Sequence, residues 1–315
     1  MSFCSEYDFE IDRIVEELRF LGVEKVLLQF TEGFQPCAPY VVRELRSRLG
    51  IEIVVSANPS YGPCIVDEAT ARDLGIELVI HFGHLEHPRY RPSITTIFVP
   101  VQYRGEAKLG NVEELASLRN LCVATTAQHI DLAKDLAEKL SARFLGIVYG
   151  CYVPPYQGCE KLLIVAGGSF HCLSAKLLAP HLEVLCLDPY VGRLWRPDRE
   201  YEKLIRARLW KVSQALDARR WLIVSGLYGQ RRKEIVNDLR NLIEDRGGEV
   251  IVVHALRIDE SILRNLEAHR FDAIVVAACP RIAIDDLQHF EKPVLTPGEA
   301  RMVLERRLEG YVYPW

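Results

Sequence analysis

Apolar residues in this chain come in short, unbroken runs separated by polar stretches with a helical rhythm. Runs over 25–30, 51–57, 78–82, 95–101, 121–125, 144–149, 162–166, 183–187, 221–225, 250–254, 273–277 and 292–295 have strand length. They are rich in Val, Ile and Leu and do not alternate with polar residues, which is the signature of strands covered on both faces of a parallel sheet. Between them, 40–49 carries Val41, Val42, Leu45 and Leu49 at helical spacing, and Ile235, Leu239 and Leu242 mark another helix that stops at Gly247-Gly248. Further helices are expected over 66–74, 112–119, 130–140, 171–178, 199–216, 260–268 and 299–308. Strand and helix in alternation predict an α/β protein with helical crossovers between parallel strands. The alternation runs through three rounds. The expected architecture is three similar parallel-sheet α/β domains around a pseudo-threefold centre, with domains at 1–106, 107–216 and 217–315 and helix 199–216 bridging to the third.

Composition narrows the class. The chain has 315 residues, 49% hydrophobic and 26% charged, with a formal net charge of −4. That is enough apolar material for sizeable cores, and it carries neither a basic excess for direct nucleic-acid binding nor a run long enough to span a bilayer. The acidic opening, residues 1–10, lacks a signal-peptide pattern, so a cytoplasmic location is expected.

Nine cysteines change the picture. No CxxC pair occurs, which argues against zinc ribbons and thioredoxin chemistry. The odd number, the length and the lack of a secretion signal argue against a disulfide framework. Cys122 and Cys186 lie inside apolar runs and read as small core residues. Cys4 and Cys37 have no evident partner, and Cys159 and Cys172 stay open. Cys64, Cys151 and Cys279 each follow a strand-sized run, one in each round, in a turn rich in Gly or Pro. Ligands of parallel α/β units bind beyond the C-terminal ends of strands. If the three units pack about one centre, three thiolates meet there, one short of the four that usually hold an iron–sulfur cluster. The fourth iron is then open to a substrate. Three unrelated turn cysteines are the equal alternative on spacing alone.

Other strand ends carry polar residues: His81 and His84 around Gly83, Ser169-Phe170-His171, Asp188-Pro189-Tyr190, and Gly229-Gln230-Arg231 before a helix. A helix start beside arginine suits a carboxylate or phosphate. Arg281, two residues after Cys279, is placed to meet a cofactor carboxylate. Phosphate-loop, dinucleotide and nucleophile-elbow motifs are all missing, which argues against a kinase, a dehydrogenase and a hydrolase of those kinds.

In order along the chain stand Ser60-Tyr61-Gly62-Pro63-Cys64, His81-Phe82-Gly83-His84, Gly150-Cys151, Gly168-Ser169-Phe170-His171, Asp188-Pro189-Tyr190, Gly229-Gln230, Ala278-Cys279-Pro280-Arg281 with Ile284-Asp285, and Lys292-Pro293-Val294-Leu295-Thr296-Pro297. From about Gln29 onward this set resembles the diphthamide-synthesis enzyme family in its archaeal form. The resemblance implies three α/β domains that each give one cysteine, here Cys64, Cys151 and Cys279, to a [4Fe-4S] cluster. It implies S-adenosylmethionine at the open iron and homolysis of its Cγ–S bond by the reduced cluster. The 3-amino-3-carboxypropyl radical then adds to an imidazole carbon of a histidine on translation elongation factor 2. It also implies a homodimer and an electron donor. Arg281 and Gln230-Arg231 are then expected to hold the methionyl carboxylate, with His171, Asp188 and Tyr190 shaping the pocket. The chain departs from the family at Pro63 and at Tyr152-Val153-Pro154-Pro155, and Cys159 lies near enough to Cys151 to compete as a ligand. Two alternatives remain open: a quinolinate-synthase-like dehydratase, which also gathers three cysteines from three domains, and a non-catalytic partner subunit.

Overall fold

The computed structural model describes residues 3–315; Met1 and Ser2 of the acidic opening lie outside them. The elements run β1 (Tyr7–Asp8), α1 (Ile11–Leu21), β2 (Lys25–Phe30), α2 (Ala38–Arg48), β3 (Glu52–Ser56), α3 (Glu68–Asp73), β4 (Leu78–Phe82), β5 (Thr95–Val99) and β6 (Gln102–Tyr103). They continue with β7 (Leu121–Thr125), α4 (Ile130–Lys139), β8 (Arg143–Ile147), β9 (Lys161–Val165), α5 (Phe170–Leu178), β10 (Glu183–Asp188), β11 (Arg193–Trp195) and α6 (Asp198–Gln214). Last come β12 (Arg220–Ser225), α7 (Lys233–Asp245), β13 (Glu249–His254), α8 (Glu260–Asn265), β14 (Ala273–Ala277), β15 (Val294–Leu295) and α9 (Pro297–Leu304).

The chain packs as two compact units, residues 1–147, 156–167 and 187–194 in one, and 148–155, 168–186 and 195–315 in the other. The first unit holds a parallel sheet in the order β3-β2-β4-β5, with Leu27 opposite both Val54 and Val79. It also holds β7 flanked by β8 and β9, again parallel. The short β1–β6 pair is antiparallel. The second unit holds a parallel sheet in the order β13-β12-β14-β15. The chain passes between the units after residues 147, 155, 167, 186 and 194, the last two inside β10 and β11. The parallel α/β architecture expected from the apolar runs is therefore present.

The central strands β2, β4, β7, β9, β12 and β14 are buried almost throughout, and β2 with β4 and β12 with β14 send side chains into cores on both faces of their sheets. The continuous runs mislead at the edges. β3 and β13 leave Val55 and Ile251 exposed, because an edge strand needs apolar cover on one side only. Local chemistry explains where helices start. Asp67 caps α3 by accepting from the Thr70 amide, and Thr296 and Glu299 close a reciprocal capping box on α9. The expected helix over 112–119 is a 3₁₀ segment, Val112–Ser117, whose run is too short for a full α-helical face. Helix α1 carries Ile14, Val15 and Leu18 into the first core and was not anticipated.

The cysteine expectations need correction. Cys4–Cys37, Cys122–Cys159 and Cys172–Cys186 are disulfides, with Cα separations of 5.7, 5.9 and 6.0 Å that suit such bridges. Cys122 and Cys186 are buried as expected, but bonded. The partners stand 33, 37 and 14 residues apart in sequence and meet only through tertiary packing, so no local spacing reveals them.

Candidate functional site

Six cysteines being bridged leaves three thiols, Cys64, Cys151 and Cys279, and each is half-buried. Cys159 is committed to Cys122, so it does not compete with Cys151.

In the first unit, Cys64 follows β3 in a turn closed by the Ile65 amide donating to Gly62 O at 3.1 Å. Buried Gln29, on the neighbouring strand β2, clamps residues 65–67 on the C-terminal side of this turn. Its Nε2 donates to Ile65 O (3.1 Å) and its Oε1 accepts from the Asp67 amide (3.1 Å). The same Oε1 lies 3.0 Å from His81 Nδ1, so Nδ1 carries the proton; His81 Nε2 is then left to accept from His84 Nδ1 at 2.9 Å. Burial pushes the His81 pKa down to about 3, which keeps this chain of donors and acceptors in one orientation. Asp188 and Tyr190 also belong to this unit. Asp188 Oδ1 accepts from the Tyr190 amide at 3.0 Å, and the Tyr190 hydroxyl accepts from that of Tyr7 at 3.0 Å. Burial and the Tyr7 contact raise the Tyr190 pKa, so its phenol stays protonated.

In the second unit, Cys279 follows β14 and its carbonyl accepts from the Ile282 amide at 3.1 Å, opening a π-helical turn. The β12 turn lies beside it: the Gly226 amide donates to Ala277 O at 3.1 Å. A Cβ on Gly226 would stand 2.8 Å from the Gln230 Cβ and 3.0 Å from that of Ala278, so glycine is what lets buried Gln230 settle against the Cys279 turn. Arg231 is exposed. The Arg281 guanidinium lies 5.1 Å from the Phe170 ring centre and 3.7 and 3.9 Å from the Asp285 and Asp286 carboxylates. Burial and the Arg281 charge push the His171 pKa down to about 4, so its imidazole is neutral near pH 7.

Sequence reasoning missed Tyr313. Its hydroxyl donates to Gly150 O at 3.0 Å, and it faces the thiols of Cys279 and Cys151. Its pKa is raised well above the usual phenol range, by burial first and by those thiols next. Ser174 Oγ stands beside the phenol but outside hydrogen-bond geometry. The lone signal in the sequence is a tyrosine between Val312 and Pro314, which points nowhere by itself.

The donor set fits an iron–sulfur cluster. Soft thiols at strand ends are what iron–sulfur clusters require. The buried hydroxyls of Ser60, in the turn before Cys64, and of Ser174, beside the Tyr313 phenol, have no hydrogen-bond partner among the described residues. A buried hydroxyl without a partner in the Cys64 turn is a place for a polar ligand or an ordered water. Among the described residues no three His, Cys, Asp or Glu side chains gather as they would around a single ion; a cluster asks for less, one thiolate per iron. No helix among the described residues is long and apolar enough to cross a membrane.

Comparison with known proteins gives these residues their context. The chain is 32% identical to the 2-(3-amino-3-carboxypropyl)histidine synthase of Pyrococcus horikoshii, over 94% of this chain and 90% of that protein. It is 28% identical to subunit 1 of the human enzyme of the same name, over 95% of this chain and 72% of that one. The crystal structure of Dph2 from Pyrococcus horikoshii superposes with a TM-score of 0.85 at 27% identity, covering 98% of this chain and 94% of that one. The structure of Dph2 from the same organism with a 4Fe-4S cluster superposes with a TM-score of 0.84 at 28% identity, covering 97% and 93%. The diphthamide synthesis protein profile matches residues 30–314, and the chain belongs to that family.

Proposed function

We propose that this chain is a 2-(3-amino-3-carboxypropyl)histidine synthase. It transfers the 3-amino-3-carboxypropyl group of S-adenosylmethionine to a histidine imidazole carbon of translation elongation factor 2, the first step of diphthamide synthesis. The carrying observation is the division of its nine cysteines: three disulfides, and thiols at Cys64, Cys151 and Cys279. Those three would hold a [4Fe-4S] cluster. The 32% identity to a synthase of that name, and the likeness to a structure that contains such a cluster, support the reading. When bound and reduced, the cluster supplies the electron that breaks the Cγ–S bond of the cofactor.

The chain's own residues do the rest. Gln29, oriented by His81, holds the peptides on the C-terminal side of Cys64. Gln230 offers a buried amide beside Cys279 for the methionyl amino or carboxylate group. Arg281 brings a cation; its contacts to Asp285 and Asp286 are long enough to yield to a carboxylate in better geometry. Neutral His171 adds no charge to compete for that carboxylate. Arg231, being exposed, serves from the rim, and Asp188 and Tyr190 shape the wall of their own unit. The working form is a homodimer in the cytoplasm, fed by an external electron donor.

The test is anaerobic reconstitution, reduction with dithionite, and incubation with S-adenosylmethionine and elongation factor 2, with both products followed by mass spectrometry. Methylthioadenosine and a modified histidine, both lost in Cys64→Ala, are the expected result. A chain that carries a full cluster and forms neither product would overturn the proposal.

A further inference from the structure

We propose that Tyr313 is a positioning residue for the Cys151 ligand turn, acting as a fixed prop against the Gly150 carbonyl. This rests on the cluster reading above. The Gly150 carbonyl carbon is bonded to the Cys151 nitrogen. Fixing that carbonyl fixes the peptide plane from which Cys151 springs, and with it the direction of the thiol. The prop is itself held on both sides. Tyr311 Oη donates to Glu299 Oε1 at 2.7 Å, and the Val312 amide reaches Met302 Sδ at 3.5 Å. The Gly298 amide donates to Pro314 O at 3.0 Å, and the Arg232 guanidinium lies 5.0 Å from the Trp315 ring centre. Gly298 permits this approach, since a Cβ there would lie 2.7 Å from Val312 O.

Residues 311–315 are thereby tied to α9, whose own Glu299 is buried against Arg208. The phenol cannot swing away from Gly150 without breaking several of these contacts. On its other side Gly150 meets the Phe170 ring. The turn before Cys151 thus meets both a hydrogen bond and the tip of an aromatic ring. The hydroxyl, and not merely the ring, matters here: a phenylalanine would fill the same space and leave the Gly150 carbonyl without this donor.

The test compares Tyr313→Phe with Tyr311→Phe. The second variant also removes one hydroxyl from the same segment, but one that contacts Glu299 and not the Cys151 turn. Two readouts are needed. In the iron-loaded chain, release of iron to a chelator should be roughly three- to tenfold faster in Tyr313→Phe, the change made by one hydrogen bond of ordinary net strength. In the iron-free chain, alkylation of Cys151 by iodoacetamide, resolved by peptide mass spectrometry, should rise by a similar factor while Cys64 stays unchanged. Tyr311→Phe loosens one of several ties of the segment and keeps the Gly150 bond, so it should raise the Cys151 rate by clearly less. An unchanged Cys151 rate in Tyr313→Phe overturns the inference. So does an equal rise in both variants, which would mean that the segment acts only as general support. A wild-type chain that takes up no iron overturns the cluster reading, and the alkylation comparison still decides the role of Tyr313.

Discussion

Phe170 occupies the space that any side chain on Gly150 would need: a Cβ there would lie 2.5 Å from the ring's Cζ and 2.8 Å from its Cε1. The Arg281 guanidinium lies over the same ring at 5.1 Å, so a shift of the ring disturbs that contact as well. One aromatic side chain thus touches the approach to Cys151 and the exit from Cys279. Gly150→Ala should cost about 1–3 kcal/mol, the usual penalty of overpacking, and should lower iron per chain after reconstitution by more than the stability loss explains. Phe170→Leu in the same chain should restore part of the iron content. Normal iron loading in Gly150→Ala would show that the two cysteine turns do not depend on this contact.

The cysteine partition gives a direct count. A denatured, cluster-free chain kept from reductant should show three reactive thiols, rising to nine after reduction. Cys159→Ala should retain its iron and lose about 2–4 kcal/mol, the typical worth of one bridge. Cys151→Ala should do the reverse, keeping stability and losing the cluster. Loss of iron in Cys159→Ala would put that residue back among the ligands.

Arg208 and Glu299 form a second anchor, buried in the unit that holds Cys151 and Cys279. They are 2% and 0% exposed, and two guanidinium nitrogens meet both carboxylate oxygens at 2.7 and 2.6 Å. The guanidinium also donates to Ala283 O and Val294 O. Removing one partner would strand a buried charge. Glu299→Gln should therefore cost about 3–5 kcal/mol, read as a shift of the urea midpoint. It should also loosen residues 311–315, since Glu299 accepts from Tyr311. A loss under about 1 kcal/mol would mean that the pair is solvated in solution.

Much of this was legible in the sequence. Unbroken runs such as Val26-Leu27-Leu28 mark the central strands because both faces of a parallel sheet exclude water. A cysteine in a Gly or Pro turn after such a run marks a strand end. What was not legible depends on contacts distant in sequence. Cys122 and Cys186 look like core residues because a bridged cysteine is as apolar as a buried thiol, and only the fold brings up Cys159 and Cys172. Tyr313 carries no local pattern at all; its partner, Gly150, is 163 residues away. Gln29 reads as a polar break in an apolar strand, and its role appears only when Ile65 and Asp67 are seen to share its amide.

Acid should expose the buried imidazoles. His81 and His129 are both buried, and burial pushes their pKa values down to about 3 and about 4 from 6.5. At His129 the Asp188 charge opposes the fall without cancelling it. Unfolded, both rings take up a proton below about pH 6.5; folded, they resist until far lower pH. Their contribution to stability is thus fully present above pH 6.5 and is lost as pH falls toward 4 and then 3. Around pH 5 each ring adds a slope of about 1.4 kcal/mol per pH unit, so the pair gives about 3. Urea midpoints of the cluster-free chain between pH 7.5 and 4.5 measure it. His129→Gln should take about 1.4 kcal/mol per unit off the slope near pH 5. An unchanged slope would mean that this ring meets solvent, and that the packing of Tyr103 and Tyr190 around it is looser than their ring-centre distances of 5.9 and 5.0 Å imply.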